Sequence, residues 1–83
     1  MIQIYGNTKC SWCEKAKNLV ERYQLKYEYL NTDEPENMKN LKEILPEVKT
    51  IPQIWWGGRH IGGYSELASE IENTLGNYGQ GKI

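Results

Sequence analysis

Cys10 and Cys13 stand three positions apart as C-x-x-C, a spacing at which two side chains on one helical turn are neighbours. Three chemistries suit such a pair: a redox-active dithiol, half of a tetrahedral metal site, or two ordinary buried cysteines. A zinc site wants four Cys or His ligands, and beyond the pair the chain offers only His60. A purely structural disulfide here would close too short a loop to restrain the unfolded chain much. The redox reading carries its own requirement. The nucleophile in disulfide exchange is the thiolate, and an unassisted thiol of pKa about 8.5 is only about 3% ionised at pH 7. Something must stabilise the anion.

The elements around the pair supply that something. Ile2 and Ile4 alternate with polar positions as a short strand, and Gly6, Asn7 and Thr8 are turn residues that end it. From Ser11 onward Ala16, Leu19, Val20 and Tyr23 recur at helical spacing, with Glu14, Lys15, Lys17 and Glu21 on the other side. Cys10 therefore falls at a helix N-terminus and Cys13 one turn inside. There the free N–H groups and the positive end of the macrodipole favour a thiolate on Cys10, and Lys9 and Lys15 add to this. A pKa lowered to about 5.5 would leave the thiol more than about 90% ionised at pH 7 and make the sulfur a better leaving group. Cys13 is then placed to attack a mixed disulfide formed on Cys10.

Residues 26–30 alternate as a second strand, so strand, helix and strand suggest a parallel βαβ unit. Asp33, Pro35 and Glu36 resemble a helix start, Met38, Leu41, Ile44 and Leu45 form its apolar face, and Pro46 ends it. Residues 53–56 and 59–61, joined by Gly57 and Gly58, read as an antiparallel hairpin in which Trp55 and Trp56 point to opposite faces. A last helix carries Leu67, Ala68, Ile71 and Leu75, with Ser65 as its expected N-cap and Gly76 as its C-cap. The order β-α-β-α-β-β-α predicts an α/β fold, a four-stranded mixed sheet flanked by helices, in one domain over residues 1–76 with a flexible tail over 77–83.

Ten basic and eleven acidic side chains are mixed along the 83 residues, so no long-range field steers the chain to nucleic acid. No apolar run has the length of a membrane span, and the N-terminal residues lack the pattern of a signal peptide. The expectation is a cytoplasmic monomer, an environment in which C-x-x-C is more often catalytic or metal-binding than structural.

Cys10, Ser11, Trp12 and Cys13 between strand and helix resemble the active site of the thioredoxin superfamily. Two further segments narrow the resemblance to glutaredoxins: residues 50–54, similar to that family's T-V-P-Q-I, and residues 60–64, similar to its H-I-G-G-Y. The similarity runs from about Ile2 to Leu75. It implies a thioredoxin-like fold and a glutathione-dependent dithiol enzyme that reduces protein disulfides and glutathione mixed disulfides, Cys10 attacking and Cys13 resolving. It further implies that Pro52 is preceded by a cis bond, that Thr50, Ile51 and Pro52 present backbone to the cysteinyl part of glutathione, and that Trp12 flanks the groove. Gly63, Tyr64 and Ser65 would receive the γ-glutamyl carboxylate at the last helix start. Ribonucleotide reductase is the client that the family suggests.

Two departures bear on these expectations. Many glutaredoxins have Lys or Arg three residues before the first cysteine, pairing with the glycyl carboxylate of glutathione; here the residue is Asn7, and Lys9 is the neighbouring candidate. Ser11 replaces the usual proline. Some relatives with Ser or Gly there hold a [2Fe–2S] cluster between two subunits, through the first cysteine of each and two glutathione thiolates. Cys10 would be this chain's ligand in that alternative, and otherwise no metal is expected. A thioredoxin-like reductant recharged by a reductase is the other alternative. His60 has no assigned role.

Overall fold

In the computed structural model, residues 1–73 are described. The element order is β1 (Ile2–Gly6), α1 (Ser11–Arg22), β2 (Tyr27–Asn31), α2 (Pro35–Ile44), β3 (Gln53–Trp56), β4 (Arg59–Gly62) and α3 (Tyr64–Ile71). The sheet order is β2-β1-β3-β4. β1 runs parallel to β2, with Ile4 opposite Tyr29, and antiparallel to β3, with Ile4 opposite Ile54. β3 and β4 form the expected antiparallel hairpin, turned by Gly57 and Gly58 at φ 62° and 85°. Positive φ at both positions suits a two-residue hairpin turn, and glycine reaches it without steric cost.

The period-2 alternation of the strands divides the core into two. Ile2, Ile4 and Ile54 turn to one face, where Ala16 and Val20 of α1 and Leu67 and Ile71 of α3 bury them. Tyr5 and Trp55 turn to the other and pack with Leu41 of α2. Trp56 rests against the first cluster, so the two tryptophans do face opposite ways. Both faces of the sheet are thus covered, and the C-terminal end of β1 is left to deliver the chain to Cys10.

Several local expectations are corrected. Tyr23 leaves the α1 stripe and is 46% exposed, because the helix closes there. Gln24 turns left-handed at φ 57°, and Leu25 N–H reaches Val20 O at 3.0 Å while Gln24 N–H reaches Glu21 O at 3.0 Å, a Schellman closure. Asp33 does not cap α2. Its N–H goes to Asn31 Oδ1 at 2.9 Å, and the N-cap is Glu34 with Pro35 as the first helical residue. Ile44 is 52% exposed instead of joining the apolar face. α3 is capped by Gly63 and not by Ser65, which lies exposed in the first turn. Gly6 belongs to β1 rather than to the following turn. Leu75, Gly76 and the tail over 77–83 lie outside the described residues.

Candidate active site

The N-cap of α1 is Cys10 itself. Its backbone is extended, and its sulfur accepts the Cys13 N–H at 3.1 Å. The residue that would carry negative charge thus also fulfils the capping requirement of its helix. Its Sγ and that of Cys13 lie at disulfide distance, with the Cα atoms 5.2 Å apart. The pair is asymmetric: Cys10 is half-buried, whereas Cys13 is completely enclosed. An incoming disulfide reaches Cys10 first.

Enclosure of Cys13 depends on Gly6. A Cβ built there would sit 2.7 Å from Cys13 Sγ, 2.8 Å from Cys13 Cβ and 2.8 Å from the Tyr29 hydroxyl. β1 can pass so close to the first turn of α1 only without a side chain at this point. The Tyr29 hydroxyl donates to Asn7 O at 3.2 Å, tying β2 to the loop that leads into Cys10. Burial raises the pKa of this phenol, with Glu14 and Asp33 acting the same way.

On the other side, the Ile51–Pro52 bond is cis and Ile51 O lies 3.7 Å from Cys10 Sγ, within reach of an S–H donor when the thiol is reduced. Gln53 ties this loop to the hairpin. Its Nε2 donates to Thr50 O at 3.0 Å and to Thr50 Oγ1 at 3.2 Å, and its Oε1 lies 2.8 Å from His60 Nε2. That contact requires the Nε2–H form of the imidazole, whose ring lies 4.6 Å from that of Trp55. The histidine without a sequence-derived role is therefore an anchor for Gln53.

Trp12 is 52% exposed and packs at 5.3 Å against Tyr64, the first residue of α3. Lys15 Nζ lies 4.6 Å from the centre of the Trp12 ring. α3 enters close to the cis-proline loop, since a Cβ on Gly63 would lie 3.4 Å from Pro52 O. Its N-terminus already has an anion: Glu66 Oε1 accepts Gly63 N–H at 2.9 Å. This bond, then Glu66's own N–H, then His60 hold the Glu66 carboxyl below its ordinary pKa. Gly63 N–H is thus taken, and the N–H groups of Tyr64 and Ser65, lacking an intrahelical acceptor by position, are the ones left for an outside anion.

Beside Asn7, Thr50 and Ile51 opens a groove also lined by Lys42, Lys49 and Val48. Lys9 is not among its lining residues; it is exposed, and Asn7 Oδ1 accepts its backbone N–H at 2.9 Å. Sequence reasoning missed Lys42 and Lys49, which are more than thirty positions from Cys10 and carry no local motif. Glu66 had a signal, three positions after the glycine that caps its helix. Among the described residues no group of three or more His, Cys, Asp or Glu side chains could hold a metal ion.

The glutaredoxin family model matches residues 2–61. Glutaredoxin 1 of Escherichia coli strain K12 is 32% identical over 79 residues, covering 87% of this chain and 93% of its own length. The solution structure of reduced Escherichia coli glutaredoxin superposes with a TM-score of 0.72 at 29% identity, covering 90% of this chain and 96% of that one. A buckwheat glutaredoxin–glutathione complex gives 0.72 at 21% identity, covering 88% and 69%, a likeness of fold. A disulfide-forming C-x-x-C pair at a helix start, on a thioredoxin-type sheet and within a family match over most of the chain, has one consistent meaning: this chain belongs to the glutaredoxin family and is a thiol–disulfide oxidoreductase.

Proposed function

We propose that the enzyme draws its reducing equivalents from glutathione and reduces protein disulfides and glutathione mixed disulfides, with Cys10 as attacking and Cys13 as resolving sulfur. The observation that carries this reading is the asymmetry of the pair: an accessible sulfur held by a backbone N–H at the positive end of a helix, beside a fully enclosed one. The Cys10 thiolate attacks a client sulfur, the client's other sulfur leaves as thiolate, and a mixed disulfide remains on Cys10. The Cys13 thiolate then attacks Cys10 Sγ, releasing the reduced client and closing the Cys10–Cys13 bond. Two glutathione thiols reopen it, becoming glutathione disulfide.

The glutathione groove in this reading runs from the Lys42 and Lys49 side past Ile51 to the start of α3. The Ile51 backbone pairs with the cysteinyl residue as an added strand would. Thr50 and Pro52 fix that backbone, Trp12 and Tyr64 wall the groove, and Tyr64 and Ser65 N–H groups receive the γ-glutamyl carboxylate. With Asn7 uncharged, Lys42 and Lys49 take the place proposed from sequence for Lys9 at the glycyl carboxylate. The clients are proteins with reducible disulfides, met in a reducing cytoplasm by a monomeric enzyme.

The test is trapping. Cys13→Ser should keep deglutathionylation and accumulate a mixed disulfide on Cys10 that mass spectrometry identifies, while Cys10→Ser should reduce activity to background. A Cys10→Ser enzyme with full activity would remove Cys10 from its assigned role. Equal rates with glutathione withheld and a thioredoxin reductase supplied would remove glutathione from its own.

A further inference from the structure

The second half of the cycle poses a problem that the first does not. Cys13 must become a thiolate to attack, yet it is fully enclosed, and burial in apolar surroundings raises a thiol pKa. Its backbone N–H is committed to Cys10 Sγ. A polar group borders the same space: the Tyr29 hydroxyl and Cys13 Sγ each lie under 3 Å from where a Cβ on Gly6 would stand. In the oxidised pair the hydroxyl donates to Asn7 O at 3.2 Å, a long bond for O–H···O.

We propose that Tyr29 is the hydrogen-bond donor to the Cys13 sulfur in the reduced and mixed-disulfide states, its hydroxyl rotating from Asn7 O towards the thiolate across the space at Gly6. The proposal rests on Cys13 acting as the resolving thiol. In the step concerned, Cys13 loses its proton to water and its sulfur attacks Cys10 Sγ. The Cys10–client bond breaks, the client sulfur leaves with the electron pair and is protonated by solvent, and Cys10 and Cys13 end joined. Tyr29 keeps its proton throughout and donates to the sulfur while that sulfur is charged. Reduction by glutathione runs the step in reverse, with Cys13 as leaving group, and the same bond assists its departure.

The surroundings suit a donor that stays protonated. Burial disfavours a phenolate, as do Glu14 on α1 and Asp33 after β2. Lys17 Nζ stands 5.8 Å from the centre of the Tyr29 ring, and β1 with its following turn offers the Asn7 carbonyl. The ring packs against the core shared by α1 and α3, so Tyr29→Phe removes the hydroxyl while keeping the packing.

The experiment follows the two steps separately by rapid-quench trapping with a glutathionylated peptide. In Tyr29→Phe the attack by Cys10 should keep its rate. The release step should slow about tenfold, the scale of one hydrogen bond to a charged group, and its pH profile should move up by about one unit. In a Cys13→Ser background Tyr29→Phe should change nothing, because the sulfur it serves is gone. Slowing of both steps alike, or of neither, would overturn the proposal, as would an effect that persists in the Cys13→Ser background. Failure of Cys13→Ser to trap the mixed disulfide would instead point to the underlying assignment of Cys13. Thermal melts of Tyr29→Phe separate lost stability from lost chemistry.

Discussion

At the start of α1 the N-cap side chain is a sulfur, and Cys10 Sγ takes the Cys13 N–H at 3.1 Å. At the start of α3 the N-cap has no side chain, and the Glu66 carboxylate reaches back to Gly63 N–H at 2.9 Å. The two helices meet through Trp12 and Tyr64, yet they use their N-termini differently. In α1 the positive end faces a sulfur whose charge, in the proposed reaction, appears and disappears, so that the helix would weight the chemistry directly. In α3 a permanent carboxylate already accepts from Gly63 N–H and from its own N–H. A second anion there meets two free N–H groups and one fixed negative charge. Lys42 and Lys49 line the groove beside Asn7 and Ile51, where the proposed reading places the glycyl carboxylate.

The largest expected effect breaks this comparison at its glycines. Gly6→Ala forces a methyl to within 2.8 Å of Cys13 and the Tyr29 hydroxyl, and should destabilise the fold by about 1–3 kcal/mol, the usual cost of overpacking. Gly63→Ala meets Pro52 O at 3.4 Å and Glu66 Oε1 at 3.6 Å, at a φ of −107° open to any residue, and should change stability by less than about 1 kcal/mol. Paired denaturant titrations decide this. Equal losses would mean that the α1 start is no more tightly built than the α3 start.

A smaller effect sharpens the electrostatic difference. Replacing both Lys42 and Lys49 by Ala should raise KM for a glutathionylated peptide about three- to tenfold at low salt, shrinking as ionic strength rises. A mixed disulfide of glutathione amide, in which a neutral amide replaces the glycyl carboxylate, should be unaffected, and Lys9→Ala should leave both substrates unchanged.

The smallest effect concerns Glu66. Its carboxyl titrates lower in the folded chain than in the unfolded one because Gly63 N–H bonds to its charged form. The stabilisation is therefore present above the ordinary carboxylate pKa of about 4.3 and is lost as pH falls through the lower folded value. Glu66→Gln should melt slightly below the parent at pH 7, with the gap closing towards pH 3. A constant gap across that range would mean that charge plays no part in closing α3.

Much of the fold was legible because its signals are local. The i, i+3, i+4 spacing of Ala16, Leu19 and Val20 defined α1, and Gly57 and Gly58 could only be a tight hairpin turn. The errors came at helix ends. Asp33 and Ser65 are good N-cap residues by type, but the caps are Glu34 and Gly63. Pro35 fixes the start of α2 by its own φ, and at α3 the Glu66 carboxylate completes the cap from three positions inside. Ile44 matched the α2 stripe yet stayed exposed, since α2 covers the sheet mainly through Leu41, with Met38 and Leu45 packed partly against the same core.

The sequence by itself determined that two thiols lie one turn apart at a helix N-terminus after a strand, and that the chain alternates strands and helices in the order observed. Both follow from spacing along the chain, which short-range sterics and burial patterns fix. Only the tertiary structure decided which sulfur is enclosed, that Gly6 and Tyr29 surround it, that Ile51 O stands beside Cys10, and that Lys42 and Lys49 line the groove while Lys9 does not. These depend on the parallel pairing of β1 with β2 and the antiparallel pairing of β1 with β3. Strand pairing joins residues far apart in sequence, and no local pattern records its register.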